Sequence, residues 1–384
     1  MKHIYLDYAA TSPVDECVLS EMLPYYGKMF GNADSVHSFG REAAAAVDGA
    51  RRGIAGLLGV KQSEIYFTSG GTEANNWAIK GILEKISENP AKNRIVTSVI
   101  EHTSVLAAVE HARSHGASVT YLPVDKCGMI LPEELDRVMG SDVALVSVMS
   151  ANNETGCIQQ TKELSVIAHK YGALFHTDAV QAACSLDLKT LAGLSDMMSL
   201  SAHKFYGPKG TGILFIRKGV KPGRLIEGGE QERTMRGGTV NVPGIVGAAR
   251  ALEITLQLRD KENERLLDLS DKFLRKTEQA GGITVNGGTP RLPGIINIRA
   301  DGIYDASLLH LLDLGGVACS AGAACSSGST EPSHVLLAMG LAEKEARASV
   351  RVSFGRYTSE VEITEAAEIF IRAICEARSK AKEK

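Results

Sequence analysis

The spacing of apolar residues changes character along the chain. From residue 64, short β-branched runs recur: "EIYFT", "RIVTSVI", "SVTYLPV", "VALVSVM", "ALFHTDA" and "GILFIR". Most are separated by stretches of helical length, such as "TEANNWAIKGILEKI". Short apolar runs bounded by turn residues read as buried strands, and the longer stretches as crossover helices. This alternation predicts an α/β fold with a mainly parallel sheet covered by helices on both faces. A long amphipathic stretch from about Ile245 to Gln279 interrupts the rhythm. After it, "INIRA", a helix-like "IYDASLLHLLDLG", "VACSAG", "SVRVSF" and a polar helix from about Ser359 predict a smaller α/β unit. The expected division is a large domain over 14–250 and a small domain over 251–384 that includes the N-terminal segment 1–13.

Composition narrows the class. The 384 residues suit two domains, and 44% hydrophobic content is enough for a sizeable core. A formal net charge of −3 leaves no basic footprint, so nucleic acid is not expected as a direct partner. No apolar run has the length of a membrane span, and "MKHIYLDYAATS" turns polar at Asp7, unlike a signal peptide. A cytoplasmic protein without a membrane partner is expected. The cysteines number 7, an odd count, with no C-x-x-C pair. That pattern predicts buried thiols in a reducing compartment, not a disulfide framework or a zinc site. Cys319 and Cys325 stand apart, in the small-residue segment "ACSAGAACSSGS".

Ligands of open α/β sheets bind beyond the carboxyl ends of the strands, so the residues that follow each run matter most. "EIYFT" leads into Ser69-Gly70-Gly71-Thr72, either an anion cradle at a helix N-terminus or an ordinary Thr cap. Glu101-His102 follows "VTSVI", where a lone histidine is commonly structural. Asn152 and Asn153 follow "VSVM", in a turn where asparagine is common. Asp178, with Gln181 three residues on, follows "ALFHT" and by default caps a helix. His203 and Lys204 follow "MSLS", and a lysine at a strand end needs a partner or a function, because burying an ammonium is costly. Lys209, between proline and glycine, reads as a turn residue. Together these place an anion cradle, a histidine, an amide, a carboxylate and a lysine on one rim. That set fits pyridoxal 5'-phosphate (PLP): the lysine forms the Schiff base, the carboxylate keeps the pyridine nitrogen protonated, and the helix start holds the phosphate.

At this point the sequence resembles the NifS/IscS-type cysteine desulfurases of the class V aminotransferase superfamily, PLP fold type I. Its anchors are "YLDYAAT", "FTSGGTEANN", "EHTSV", "ANNETG", "HTDAVQ", "SAHKFYGPKG", "GGEQERTMRGGT" and "SAGAACSSGSTEPSHVLLAMG". The resemblance implies a large domain with a mainly parallel seven-stranded sheet between helices, plus a smaller α/β C-terminal domain. It implies that Lys204 carries the cofactor, Asp178 pairs with the pyridine nitrogen, and His102 stacks on the ring and assists proton transfer. Gln181 would bond the phenolic oxygen. Gly71, Thr72, Ser201 and His203 would hold the phosphate, with Thr239 reaching in from the other subunit of a homodimer. Asn153 and Arg351 would grip the substrate carboxylate, although Arg351 in "SVRVSF" also reads as a surface charge at a strand end.

Cys325 matches the nucleophile that takes sulfur from L-cysteine, leaving L-alanine and a persulfide for a sulfur-acceptor protein. The acceptor would be an iron–sulfur scaffold or a thiolation enzyme. Around it the chain reads "SAGAACSS" where the family usually shows "SSGSACTS", and Cys319 is an addition. The alternative reading is a selenocysteine lyase or another aminotransferase-like member of the superfamily. No metal site is expected.

Overall fold

The computed structural model describes residues 3–322 and 331–382. Its strands, in chain order, are β1 (Ile4–Tyr5), β2 (Ile65–Thr68), β3 (Arg94–Ser98), β4 (Ser118–Leu122), β5 (Val143–Ser147) and β6 (Leu174–Asp178). They continue with β7 (Met197–Ser201), β8 (Gly212–Ile216), β9 (Ile283–Asn286), β10 (Ile295–Ala300), β11 (Val317–Ala318) and β12 (Val350–Ser353). Strands β2 to β8 form one 7-stranded sheet in the order β2-β8-β7-β6-β5-β3-β4. Every neighbouring pair in it is parallel except the two that β8 makes, with β2 and with β7. The expected α/β architecture with a mainly parallel sheet is therefore present. Because β8 alone is reversed, the carboxyl ends of β2, β3, β5, β6 and β7 share one edge.

Helices cover both faces, which is why β5, β7 and β8 are buried along their whole length and carry no charged residue. On one face Met198, Leu200, Ile213 and Phe215 pack against the helices Ser38–Leu58 and Val242–Thr277. On the other, Met197 and Leu214 meet Ala74, Trp77 and Ala78 of the helix Gly71–Lys80 and Val105, Ala108 and Val109 of Thr103–Ser114. Alternate residues of one strand serve opposite layers, as the period of two requires.

The 36-residue helix Val242–Thr277 is the amphipathic stretch seen in the sequence. Its first half buries Val242, Ile245 and Ala248 in the large core. Its second half buries Leu266, Leu269 and Phe273 in a separate core with β10, β12 and Phe370 of the helix Glu360–Lys382. The helix thus passes unbroken through position 251. Strand β1 pairs in parallel with β11, and Ile4 and Leu6 pack into that second core. Strands β9, β10 and β12 form its antiparallel sheet, with β10 in the middle. Among the described residues, no helix is long and apolar enough to cross a membrane.

Candidate active site

The shared strand edge opens into a cavity of about 450 Å³. It is lined by Gly71, Thr72, His102, Asn153, Asp178, Gln181, Ser201, His203, Lys204 and Arg351, so these residues singled out from sequence converge. Thr239 does not line it. That residue is exposed and borders an adjoining hollow with Ser69 and Gly210. Cys325 lies outside the described residues.

One end of the cavity is built for an anion. The helix Gly71–Lys80 begins there with Gly70 as its cap, and its first amides have no partner within the helix. The Thr-cap alternative is not what forms, since Thr72 sits inside the first turn. A Cβ on Gly71 would stand 2.7 Å from Val180 Cγ2, so only glycine lets β6, β7 and this turn close around the site. Glu73 puts a carboxylate in the same turn, and Arg236 covers it. Its oxygens accept from the Ser69 amide at 2.8 Å and from Arg236 Nε at 3.0 Å. His203 meets Thr11 Oγ1 at 3.2 Å, and burial, then the nearby Lys204, brings its pKa down to about 4. It is a neutral ring near pH 7.

Lys204 follows β7 on a single 3-10 turn, Ala202–Lys204. Its Nζ donates to the carbonyls of Ala9 at 2.5 Å and Ala10 at 2.8 Å, and Gln181 Nε2 also donates to Ala9 at 2.8 Å. The N-terminal segment thus closes one wall, tied down by two of the site's own side chains. Lys209, by contrast, is exposed at the rim. At the end of β6, Asp178 accepts from the Val180 amide at 2.9 Å through Oδ1 and from Asn75 Nδ2 at 2.7 Å through Oδ2. The short helix Ala182–Cys184 that follows has Gln181 and not Asp178 at its cap, which corrects the helix-cap expectation. One oxygen of Asp178 closes the turn after β6, and the other is held by a side chain. His102 likewise serves twice. It caps the helix Thr103–Ser114, accepting the Ser104 amide at 3.1 Å on Nδ1, and it lines the cavity.

Arg351 is 1% exposed, which corrects its reading as a surface charge. It lies on β12, the edge of the smaller sheet that faces the cavity. Nη2 pairs with Asp7 Oδ1 at 2.7 Å and Nη1 donates to the Asn153 carbonyl at 3.0 Å, while Nε has no partner among the described residues. Asp7 Oδ2 accepts from Ser320 Oγ at 2.9 Å. A buried guanidinium with a counter-ion, placed beside a cavity, is suited to a second carboxylate.

Sequence reasoning assigned no role to Asp7, Asn75, Ser104 or Glu101. Asn75 carried a signal, being a polar residue on the buried stripe of Ala74, Trp77 and Ala78. Glu101 is fully buried between the ends of β3 and β5. It accepts from Ser98 Oγ at 2.5 Å and from the Met149 amide at 3.1 Å, and its Oε2 has no partner among the described residues. Burial pushes its pKa from 4.5 up to about 8 against the pull of those two donors, and Asp178 adds to the rise.

Glu101 therefore makes stability depend on pH. Between about pH 4.5 and about 8 the unfolded chain releases this proton and the folded chain keeps it, so its contribution is full below that window and is lost as pH rises through it. Glu101→Gln, which cannot ionise, is expected to melt a few degrees above the parent at pH 8 and to lose that advantage near pH 5. Thermal melts at the two pH values check this; an equal difference at both would refute it.

Comparison with known proteins agrees with the geometry. The class-V aminotransferase family matches residues 4–365. A cysteine desulfurase IscS of Dictyoglomus turgidum is 44% identical over 380 residues, covering 98% of this chain and 96% of that protein. Another, of Methanosarcina thermophila, is 44% identical over 371 residues, covering 96% and 91%. Among solved structures, a NifS-like protein superposes with a TM-score of 0.91 at 37% identity, over 97% of this chain and 100% of that one. The structure of SspA in complex with cysteine does so with a TM-score of 0.83 at 35% identity, over 93% and 100%. A single family match across the fold, joined to relatives of this identity over nearly their full length, places the chain in the class-V aminotransferase family, among the cysteine desulfurases of the NifS/IscS type.

Proposed function

We propose that this cavity is the PLP-dependent active site of a cysteine desulfurase, which converts L-cysteine to L-alanine and passes the sulfur to a thiol of the chain. The observation that carries this reading is the convergence of Lys204, Asp178, His102 and the Gly71 turn on one cavity, with the buried Arg351 on its wall. The residues fit the cofactor. The glycine turn, Ser201 and the neutral His203 suit a phosphate, Asp178 suits a protonated ring nitrogen, and Gln181 suits the phenolic oxygen. Bound there, PLP supplies a carbonyl carbon that takes an amine and a ring that draws electrons from the substrate's Cα.

The chain's own groups do the rest. Lys204 presents an amine at a fixed place, held by two carbonyls until it is needed. Arg351 and Asn153 orient L-cysteine by its carboxylate. Burial holds His102 below its usual pKa, so its ring is neutral beside the substrate and can take part in proton transfer there. In the net reaction the Cβ–S bond breaks and the sulfur ends as the outer atom of a persulfide on Cys325. A proton replaces it on Cβ to complete the methyl group of L-alanine. The persulfide then serves a sulfur-acceptor protein, an iron–sulfur scaffold or a thiolation enzyme. The reading includes a homodimer. Thr239, exposed and outside its own cavity, would complete the phosphate site of the other copy.

Borohydride reduction of the purified holoenzyme, followed by peptide mapping, tests the proposal. The expected product carries the cofactor covalently on Lys204. A label on Lys209, or no label, would sink the reading.

A further inference from the structure

In the cavity wall, one buried amide is linked to both groups that the proposed chemistry asks most of, to Asp178 directly and to His102 through Ser104. Asn75 is 1% exposed. One hydrogen of its Nδ2 goes to Asp178 Oδ2 at 2.7 Å, and the other to Ser104 Oγ at 2.9 Å. The amide's orientation follows from chemistry. A carboxylate only accepts hydrogen bonds, so the NH₂ and not the carbonyl must face Asp178. Its Oδ1 is left buried with no partner among the described residues, a cost accepted for holding the NH₂ in this place.

Ser104 carries the constraint onward. Its Oγ already accepts from Asn75, and it lies 2.8 Å from His102 Nδ1. The backbone N–H of Ser104 donates to that same nitrogen at 3.1 Å. A proton on Nδ1 would point at this N–H, so Nδ1 is an acceptor and the hydroxyl hydrogen of Ser104 turns toward it as well. The neutral ring then has its proton on Nε2. We infer that Asn75 is a positioning residue that, through one amide group, holds the Asp178 carboxylate and, through Ser104, sets the His102 ring and its Nε2–H tautomer. The inference rests on the reading of Asp178 and His102 as the groups that serve the cofactor.

Without the amide, Ser104 Oγ is free to turn a lone pair toward Nδ1–H, and the charged ring becomes easier to form. Of the charged and titratable neighbours acting on His102, Lys204 and His334 are untouched by such a substitution, whereas Asp178 loses its Asn75 donor. Ser104→Ala keeps that donor and isolates the effect carried through Ser104. The test uses holoenzyme labelled with ¹⁵N-histidine, with the His102 signals assigned by a His102→Gln variant. In the parent, Nδ1 is expected to be unprotonated and Nε2 protonated. In Asn75→Leu, the proton affinity of His102 is expected to rise about fivefold to tenfold. The kcat for L-cysteine should fall by about tenfold or more, with KM within about twofold, because Asn75 positions reacting groups and does not bind substrate. Ser104→Ala should move His102 in the same direction, and it carries the test if Asn75→Leu does not fold. A parent protein with the proton on Nδ1, or a variant whose His102 titration matches the parent's, overturns the inference. The nitrogen shifts are read without turnover. A parent that shows the expected tautomer but no L-cysteine turnover would refute the desulfurase reading and leave the hydrogen-bond chain standing.

Discussion

Replacing Cys325 by serine is expected to lower formation of alanine and persulfide from L-cysteine by at least about 10³-fold, while the cofactor still binds. Only a thiolate can take the sulfur, and a serine hydroxyl cannot replace it near neutral pH. The comparison that gives the experiment its force is Cys319→Ser. Cys319 follows β11 and packs against the core of the smaller unit, and burial, with Asp7 adding to it, pushes its thiol above the usual range. A thiol in that state is mostly protonated and is a poor nucleophile. Cys319→Ser should therefore keep much of the activity, with any loss attributable to packing. Alanine is measured by chromatography and the persulfide by mass spectrometry of the intact protein. A persulfide on Cys319 in the Cys325→Ser protein, with turnover retained, would reverse the assignment. Sulfur on both residues in the parent would make Cys319 a relay.

Arg351→Ala is expected to have two separable effects. The first is on stability. Asp7, whose side chain is 16% exposed, would lose the 1%-exposed Arg351, its ion-pair partner among the described residues. Removing one member of a buried pair costs about 3–5 kcal/mol, because the other charge is left without compensation. The second effect is on substrate binding. Loss of a charge-assisted contact to the L-cysteine carboxylate, worth about 1.5–3 kcal/mol, should raise KM by roughly ten- to 100-fold. The double variant Arg351→Leu with Asp7→Asn separates them. It should recover most of the lost stability, since no buried charge is stranded, and yet keep the raised KM. Urea unfolding and steady-state kinetics are the two measurements. A double variant that recovers a low KM would make Arg351 a structural residue and remove it from the substrate site.

Much of this site was legible because its residues follow strand ends, where local sequence announces itself. Gly71 and Thr72, His102, Asn153, Asp178 and Lys204 each stand just after an apolar run, and the edge they share follows from parallel pairing. The roles of Asp7, Asn75 and Ser104 were not legible in the same way. Asp7 meets Arg351 across 344 positions, and Asn75 meets Asp178 across 103. Such contacts exist only once β1 has paired with β11 and the helix Gly71–Lys80 has packed on the sheet.

The division of labour has a physical basis. Period and turn chemistry are local properties, so the linear order of residues was enough to establish an α/β chain, its rim of polar residues and the lysine that stands out on it. Burial and ion pairing depend on what the other layers bring. Only packing could turn Arg351 from a strand-end charge into a nearly inaccessible guanidinium, bury Glu101 so that its pKa reaches about 8, and direct one amide of Asn75 to two different groups. Each of these depends on desolvation and on partners distant in sequence, and neither is encoded in the few residues around the side chain concerned.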